Sequence, residues 1–203
     1  MSDLSRADKF PLRRREVAKQ ILDAGGDDLL IVTGLGSTNW DFTAAGDCAR
    51  IFPLWGAMGG AVPLALGLAL AQPTKRVMVA TGDAEVLMGM GSLATVAVQA
   101  PDNLCIAVFD NERYGETGMQ ATATAHTTDL AAVAKACGFG LTATVTDEAA
   151  LKKAIPEMLT APGPSLFVIK VRAEPLPFVL PPKDGAYLKD RFRHALLGDS
   201  AIV

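Results

Sequence analysis

The feature that most constrains this chain is a set of short apolar runs separated by segments of helix length. Asp28–Thr33 (DLLIVT), Arg76–Ala80 (RVMVA) and Leu104–Phe109 (LCIAVF) contain almost no polar alternation. A strand of that kind is covered on both faces, as in a parallel sheet between two helical layers. The intervening segments read as helices. Pro11–Ala24 has Pro near its first turn and Gly25-Gly26 at its end. Ser37–Ala45 is a short helix with Ser37 or Thr38 as cap. Ala57–Ala71 and Glu85–Gln99 read as longer helices, and Asp129–Cys137 stops at Gly138. Leu141–Val145, Asp147–Leu159 and Ser165–Val171 add a strand, a helix and a strand. Strands alternating with helices predict an α/β fold with helices on both faces of a parallel sheet.

Charge and cysteine content exclude several classes. The net charge is -3, and no basic stripe extends beyond Arg13-Arg14-Arg15, which reads as a solvated helix face. Nucleic acid is therefore not expected as the main partner. Cys48, Cys105 and Cys137 are scattered and form no CxxC, which predicts reduced thiols and a cytoplasmic protein without zinc or iron–sulfur spacing. Cys105, inside an apolar run, reads as a small core residue. Met1–Gln20 is too polar for a signal peptide. Ala57–Ala71, the longest apolar stretch, is too short to span a bilayer and is interrupted by Gly59, Gly60, Pro63 and Gly67, so no membrane partner is expected. After Arg172 the chain carries Pro175, Pro177, Pro181 and Pro182 and loses periodicity. Residues 1–172 are expected to form the domain, and 173–203 an extended tail that wraps onto a partner chain.

Ligands of open parallel sheets bind beyond the carboxyl ends of the strands. Three loops there carry polar residues: Thr33–Thr38, Thr81–Glu85 and Asp110–Gly115. Gly82-Asp83 alone is more often a turn and helix cap. Asn111, however, follows 28 residues later, after the next apolar run. One strand–helix–strand crossover would bring both residues to adjacent strand ends. A carboxylate, an amide oxygen and a backbone carbonyl are hard oxygen ligands suited to Mg²⁺ or Ca²⁺. The amides at the start of the helix near Ala84 favour an anion such as diphosphate.

Gly-Asp followed at this interval by Asn resembles the signature of thiamine diphosphate (TPP) dependent enzymes. Flanking segments narrow the likeness: Gly56–Gly60, Ala65–Ala71, Leu87–Gly91, Pro101–Leu104 and Asp110-Asn111 with Tyr114-Gly115, Thr117-Gly118, Gln120 and Thr122. In order and spacing they are similar to the sulfopyruvate and phosphonopyruvate decarboxylase family. That resemblance implies a three-layer α/β/α fold with a mostly parallel six-stranded sheet. It implies that Asp83 and Asn111 hold Mg²⁺ through side-chain oxygens and Arg113 through its carbonyl. It implies cofactor contacts from Gly34, Ser37, Thr38, Gly56, Met58, Gly82, Asp83, Ala84, Glu85, Asn111, Tyr114 and Gly115. Met58 would prop the cofactor in its bent form and the Gly56 carbonyl would accept from its amino group. These two are the candidates for catalysis, although core filling is the plainer role for Met58. Tyr114–Gln120 would form a mobile segment. His126 is open to a substrate, capping or solvent role.

Two residues depart from the pattern. Ala84 stands where Gly is usual, and Glu85 follows where donors are usual. A carboxylate aimed at diphosphate would repel it by several kcal/mol in a poorly solvated site. Either Glu85, like Glu116, points away, or the chain is a divergent member. The resemblance also implies that a separate pyrimidine-binding, alpha-type subunit supplies the activating Glu, and that the chain self-associates. The expected activity is decarboxylation of a 2-oxoacid such as sulfopyruvate or phosphonopyruvate. The alternatives are another TPP-dependent carboligase or oxidoreductase subunit, or a non-catalytic degenerate partner. An unrelated dinucleotide binder is disfavoured, since Gly34-Leu35-Gly36-Ser37-Thr38-Asn39 lacks the final Gly of GxGxxG.

Overall fold

The computed structural model describes residues 8–202. The remaining residues of the expected domain, of its polar N-terminal segment and of the expected tail lie outside that range. The chain runs α1 (Arg14–Gly25), β1 (Leu29–Thr33), α2 (Ser37–Gly46), β2 (Ile51–Pro53), α3 (Ala61–Ala71), β3 (Arg76–Gly82), α4 (Asp83–Met88) and α5 (Ser92–Gln99). It continues through β4 (Leu104–Asp110), β5 (Arg113–Tyr114), β6 (Gln120–Ala121), α6 (Leu130–Cys137), β7 (Leu141–Val145), α7 (Glu148–Thr160), β8 (Ser165–Lys170) and α8 (Gly185–Leu197). Six strands form one sheet in the order β2-β1-β3-β4-β8-β7, and every pairing is parallel. Strands β5 and β6 form a separate antiparallel hairpin.

The unbroken apolar runs are explained by two cores, one on each face. Leu30, Val32, Val77, Val79, Ile106 and Val108 point into one, with Ala65 of α3, Leu93 of α5, Leu130 of α6 and Phe192 of α8. Leu29, Ile31, Met78, Ala80, Cys105 and Ala107 point into the other, with Ile21 of α1, Phe42 of α2 and Leu151 of α7. Alternate residues of each strand thus serve opposite layers, which is the three-layer α/β/α arrangement.

The structure differs from the expected elements at four places. The sixth strand is β2, a short run too brief to register as a periodic segment. The helix expected over Glu85–Gln99 is two helices, broken at Gly89–Gly91. A side chain at Gly89 would lie 2.4 Å from the Gly59 carbonyl oxygen, so two backbones meet at the break. The helix expected from Ala57 starts at Ala61, because Ala57 (φ 56°) and Gly59 (φ 86°) adopt left-handed backbone. The tail is extended only to residue 184 and then forms α8. Asp184 caps that helix through the amides of Ala186 and Tyr187. Leu188 and Phe192 are buried, Phe192 stacks edge-on against Phe52, and Arg191 pairs with Asp47.

Candidate functional site

Strands β3 and β4 are neighbours, with Gly82 opposite Phe109. Their ends therefore deliver Asp83 and Asn111 to one place at the carboxyl edge of the sheet. A cavity of about 320 Å³ opens there. Its lining includes Ser37, Gly82, Asp83, Ala84, Glu85, Asn111, Arg113 and Gly115. Helices α2 and α4 both begin at its wall, and neither start carries a side-chain cap. The remaining expected residues lie around it. Met58 and Tyr114 line a small adjoining pocket with Leu35 and Met88. Thr38 is buried and donates to the Gly34 carbonyl. Gly34 backs Glu85, whose carboxylate fills the space that a side chain at residue 34 would need. Gly56 is exposed in the loop before α3 and lines neither pocket.

Asp83 is 1% exposed and sits in a polar network. Thr122 donates to its Oδ2 at 2.6 Å, and Thr124 Oγ1 lies 3.1 Å from the same atom. Thr124 also reaches Asp110 Oδ1 at 2.8 Å. Lys170 donates to Asp110 at 2.7 Å and lies 3.3 Å from Glu112, which also pairs with Lys9 at 2.7 Å. Burial, and then the charge of Asp110, push the Asp83 carboxyl up to about 7. Burial works against the Lys170 ammonium, but the hydrogen bonds and charges of Asp110 and Glu112 outweigh it and raise its pKa. Asn111 Oδ1 accepts from the Arg113 amide at 2.8 Å, closing a tight turn, and an amide oxygen has a second lone pair.

Glu85 is 5% exposed. Its Oε2 accepts from Thr81 at 2.7 Å, while Oε1 has no hydrogen-bond partner. Burial raises its pKa, opposed by the Thr81 hydroxyl and by backbone N–H groups of Ala61, Gly59 and Leu35. The carboxyl lies against Gly34 at the end of β1. Glu116 lies beside Gly36, 3.4 Å from Trp40 Nε1.

The residues fit a bound divalent cation and diphosphate. Among the described residues, no three His, Cys, Asp or Glu side chains are grouped to hold a metal. A cation at Asp83 therefore needs amide, carbonyl and ligand oxygens as well, which is the ordinary coordination of Mg²⁺ with phosphates. Both Thr hydroxyls fall on Oδ2, so Oδ1 carries neither. Two helix starts face the same cavity and favour an anion.

Sequence reasoning missed several lining residues. Arg14, expected on a solvated face, is buried. Its Nε donates to Asp41 at 2.7 Å, Arg15 shares that carboxylate at 3.0 Å, and Arg14 Nη1 donates to the Glu174 carbonyl. A buried guanidinium is tolerable only with such partners, and a run of three arginines gives no sign of a buried acceptor 27 residues away. Trp40 and tail residues Glu174–Leu176 and Phe178 also line the cavity. His126 is exposed beside a second polar depression with Lys170 and Asp110. No helix among the described residues is long and apolar enough to cross a membrane.

The family described as thiamine pyrophosphate enzyme, C-terminal TPP binding domain, matches residues 37–169. Sulfopyruvate decarboxylase subunit beta of Methanocaldococcus jannaschii is 37% identical over 126 residues, covering 62% of this chain and 66% of that protein. Phosphonopyruvate decarboxylase of Streptomyces viridochromogenes is 38% identical over 145 residues, covering 71% of this chain but only 36% of that protein. The crystal structure of benzoylformate decarboxylase from Polynucleobacter necessarius superposes with a TM-score of 0.72 at 22% identity, over 83% of this chain and 34% of that one. That last likeness concerns the fold.

Proposed function

The chain belongs to the thiamine pyrophosphate enzymes, by their C-terminal TPP-binding domain, and from that premise we propose that it is the diphosphate- and Mg²⁺-binding subunit of a TPP-dependent 2-oxoacid decarboxylase. The observation that carries this reading is the delivery of Asp83 and Asn111 by adjacent parallel strands to one cavity, faced by two helix starts. Asp83 and Asn111 would hold Mg²⁺ through side-chain oxygens, and Arg113 through its carbonyl. The amides at the starts of α2 and α4 would take the diphosphate, with Ser37 and Gly82 at its sides. When bound, TPP supplies the electron sink for loss of CO₂ from a 2-oxoacid. Met58 would shape the cofactor's pocket from its exposed loop, and the Gly56 carbonyl would orient the amino group. The hairpin β5–β6 would exclude water from the closed site.

A separate alpha-type subunit would supply the activating Glu. The relative from Methanocaldococcus jannaschii carries the name of a beta subunit, which supports a two-chain enzyme acting on sulfopyruvate or a similar anionic substrate. Copies of the chain would also associate within that assembly. The test is to isolate the tagged chain with whatever chain accompanies it and to assay TPP, Mg²⁺ and CO₂ release from sulfopyruvate and phosphonopyruvate. Near-stoichiometric TPP and CO₂ release from either substrate by the complex are expected, with none from the chain alone. Activity of the isolated chain would sink the two-chain reading.

One observation favours a second reading, a non-catalytic partner subunit. Glu85 and Glu116 both line the cavity, and Glu85 keeps one oxygen without a partner. A complex that takes up no TPP at saturating Mg²⁺ would select it.

A further inference from the structure

Resting on that reading of Asp83, we propose that Thr122 and Thr124 are positioning residues that set which oxygen of Asp83 meets the cation. Both are buried, and both place Oγ1 against the same atom, Asp83 Oδ2, at 2.6 and 3.1 Å. They also touch each other at 2.8 Å, and Thr124 alone continues to Asp110. A carboxylate without such contacts rotates between one- and two-oxygen ligation. With Oδ2 occupied by hydroxyls, Oδ1 is the oxygen available to a metal, in one orientation.

The two threonines lie 39 and 41 residues from Asp83, Thr122 directly after β6 and Thr124 in the short 3-10 turn that follows. The other end of the same hairpin begins at Asn111, whose side chain accepts the Arg113 amide. The hairpin is therefore pinned at both ends to the two side chains assigned to the cation. Its intervening loop, with Gly115, Glu116 and Met119, lines the cavity. The side chains assigned to the cation are thereby also the ones that anchor this loop.

The test uses the full chain together with the chain that co-purifies with it. Protein-bound TPP is measured by equilibrium dialysis at saturating TPP over a series of Mn²⁺ concentrations, and the metal-free Tm is recorded in parallel. Thr122→Val removes the hydroxyl and keeps the shape. It is expected to raise the Mn²⁺ half-saturation by about 10- to 100-fold, the usual effect of losing a group that orients a metal ligand. Thr122→Ser, which restores the hydroxyl, is expected to stay within about threefold of the parent protein. If Thr122→Val does not fold, Thr124→Val and Thr124→Ser carry the same contrast, with a smaller loss expected from the longer contact. A Val variant that folds and binds Mn²⁺ like the parent overturns the proposal. So does a Ser variant as weak as its Val counterpart, because the defect then follows packing rather than the hydroxyl. No Mn²⁺ dependence of TPP binding in the parent protein would mean that the assignment of Asp83 itself has failed, and this inference with it.

Discussion

Two neighbouring parts of the candidate site are built in opposite ways. At the ends of β3 and β4, Asp83 is 1% exposed and is held by a chain of polar contacts that runs to Lys9 within the same polypeptide. In the loop before α3, Met58 is 66% exposed and Gly56 is exposed too. That loop is held by left-handed backbone at Ala57 and Gly59 and by the approach of Gly59 to Gly89. One region is finished by its own chain. The other presents an apolar side chain on a shaped but uncovered loop. The contrast teaches that one chain can finish one end of a site from its own residues while leaving the other end uncovered. Under the proposed function these are the cation end and the end that a partner would close.

The largest test of this contrast is Asp83→Asn. It should lower Mg²⁺-dependent TPP affinity by more than about 100-fold, beyond the effect of groups that only orient a ligand, as read by calorimetry on the assembled protein. Gly59→Ala comes next. A Cβ there would sit 2.8 Å from the Gly89 amide nitrogen, on a residue with φ 86°, and should cost about 2 kcal/mol in stability, as measured by urea unfolding. An unchanged midpoint would mean that the loop is not held by this approach.

The third test is pH. Asp83 is pushed up to about 7 in the folded state, against about 4 when unfolded. Between those values the folded protein binds the extra proton. Its contribution to stability is therefore full below about pH 4 and lost as pH rises through about 7. Glu85 is raised by burial and acts in the same direction. The metal-free Tm should fall by about 5 °C from pH 5 to pH 8, and Asp83→Asn should flatten that slope. A slope left undiminished by the substitution would assign it elsewhere. The smallest effect is expected from Met58→Ala. An exposed side chain should change stability by less than about 0.5 kcal/mol, while CO₂ release by the two-chain complex falls clearly. A loss of stability instead would make Met58 an ordinary packing residue.

Most of the fold was legible because covered strands leave unbroken apolar runs, and five of the six sheet strands have that length. Strand β2, three residues long, has too little pattern to be read. The break between α4 and α5 was hidden because Gly89 and Gly91 are tolerated within a helix, and only the approach of Gly59 decides otherwise. Helix α8 was masked by the prolines before it. In the site, the meeting of Asp83 and Asn111 at one sheet edge was legible from spacing, while Arg113 entered only through the family resemblance. The depth of Arg14 was not, because its burial depends on Asp41 and Glu174, each on a different element. The role of Thr124 was equally hidden, since nothing local marks a hydroxyl that acts on a carboxylate 41 positions earlier.

The register of β3 against β4 has one more consequence. Neighbouring strands are about 4.8 Å apart, so the separation of the positions bearing Asp83 and Asn111 is inherited from the hydrogen-bond lattice of the sheet. The crossover between them, two helices and a turn, lies off that lattice. Its far end, around exposed Val98 and Gln99, can change without moving either residue. Helix α4, by contrast, begins at Asp83, lines the cavity with Ala84 and Glu85, and is followed by Gly89, which meets Gly59. The chemistry of this edge is therefore insulated from change at the far end of the connecting segment, and exposed to change in α4.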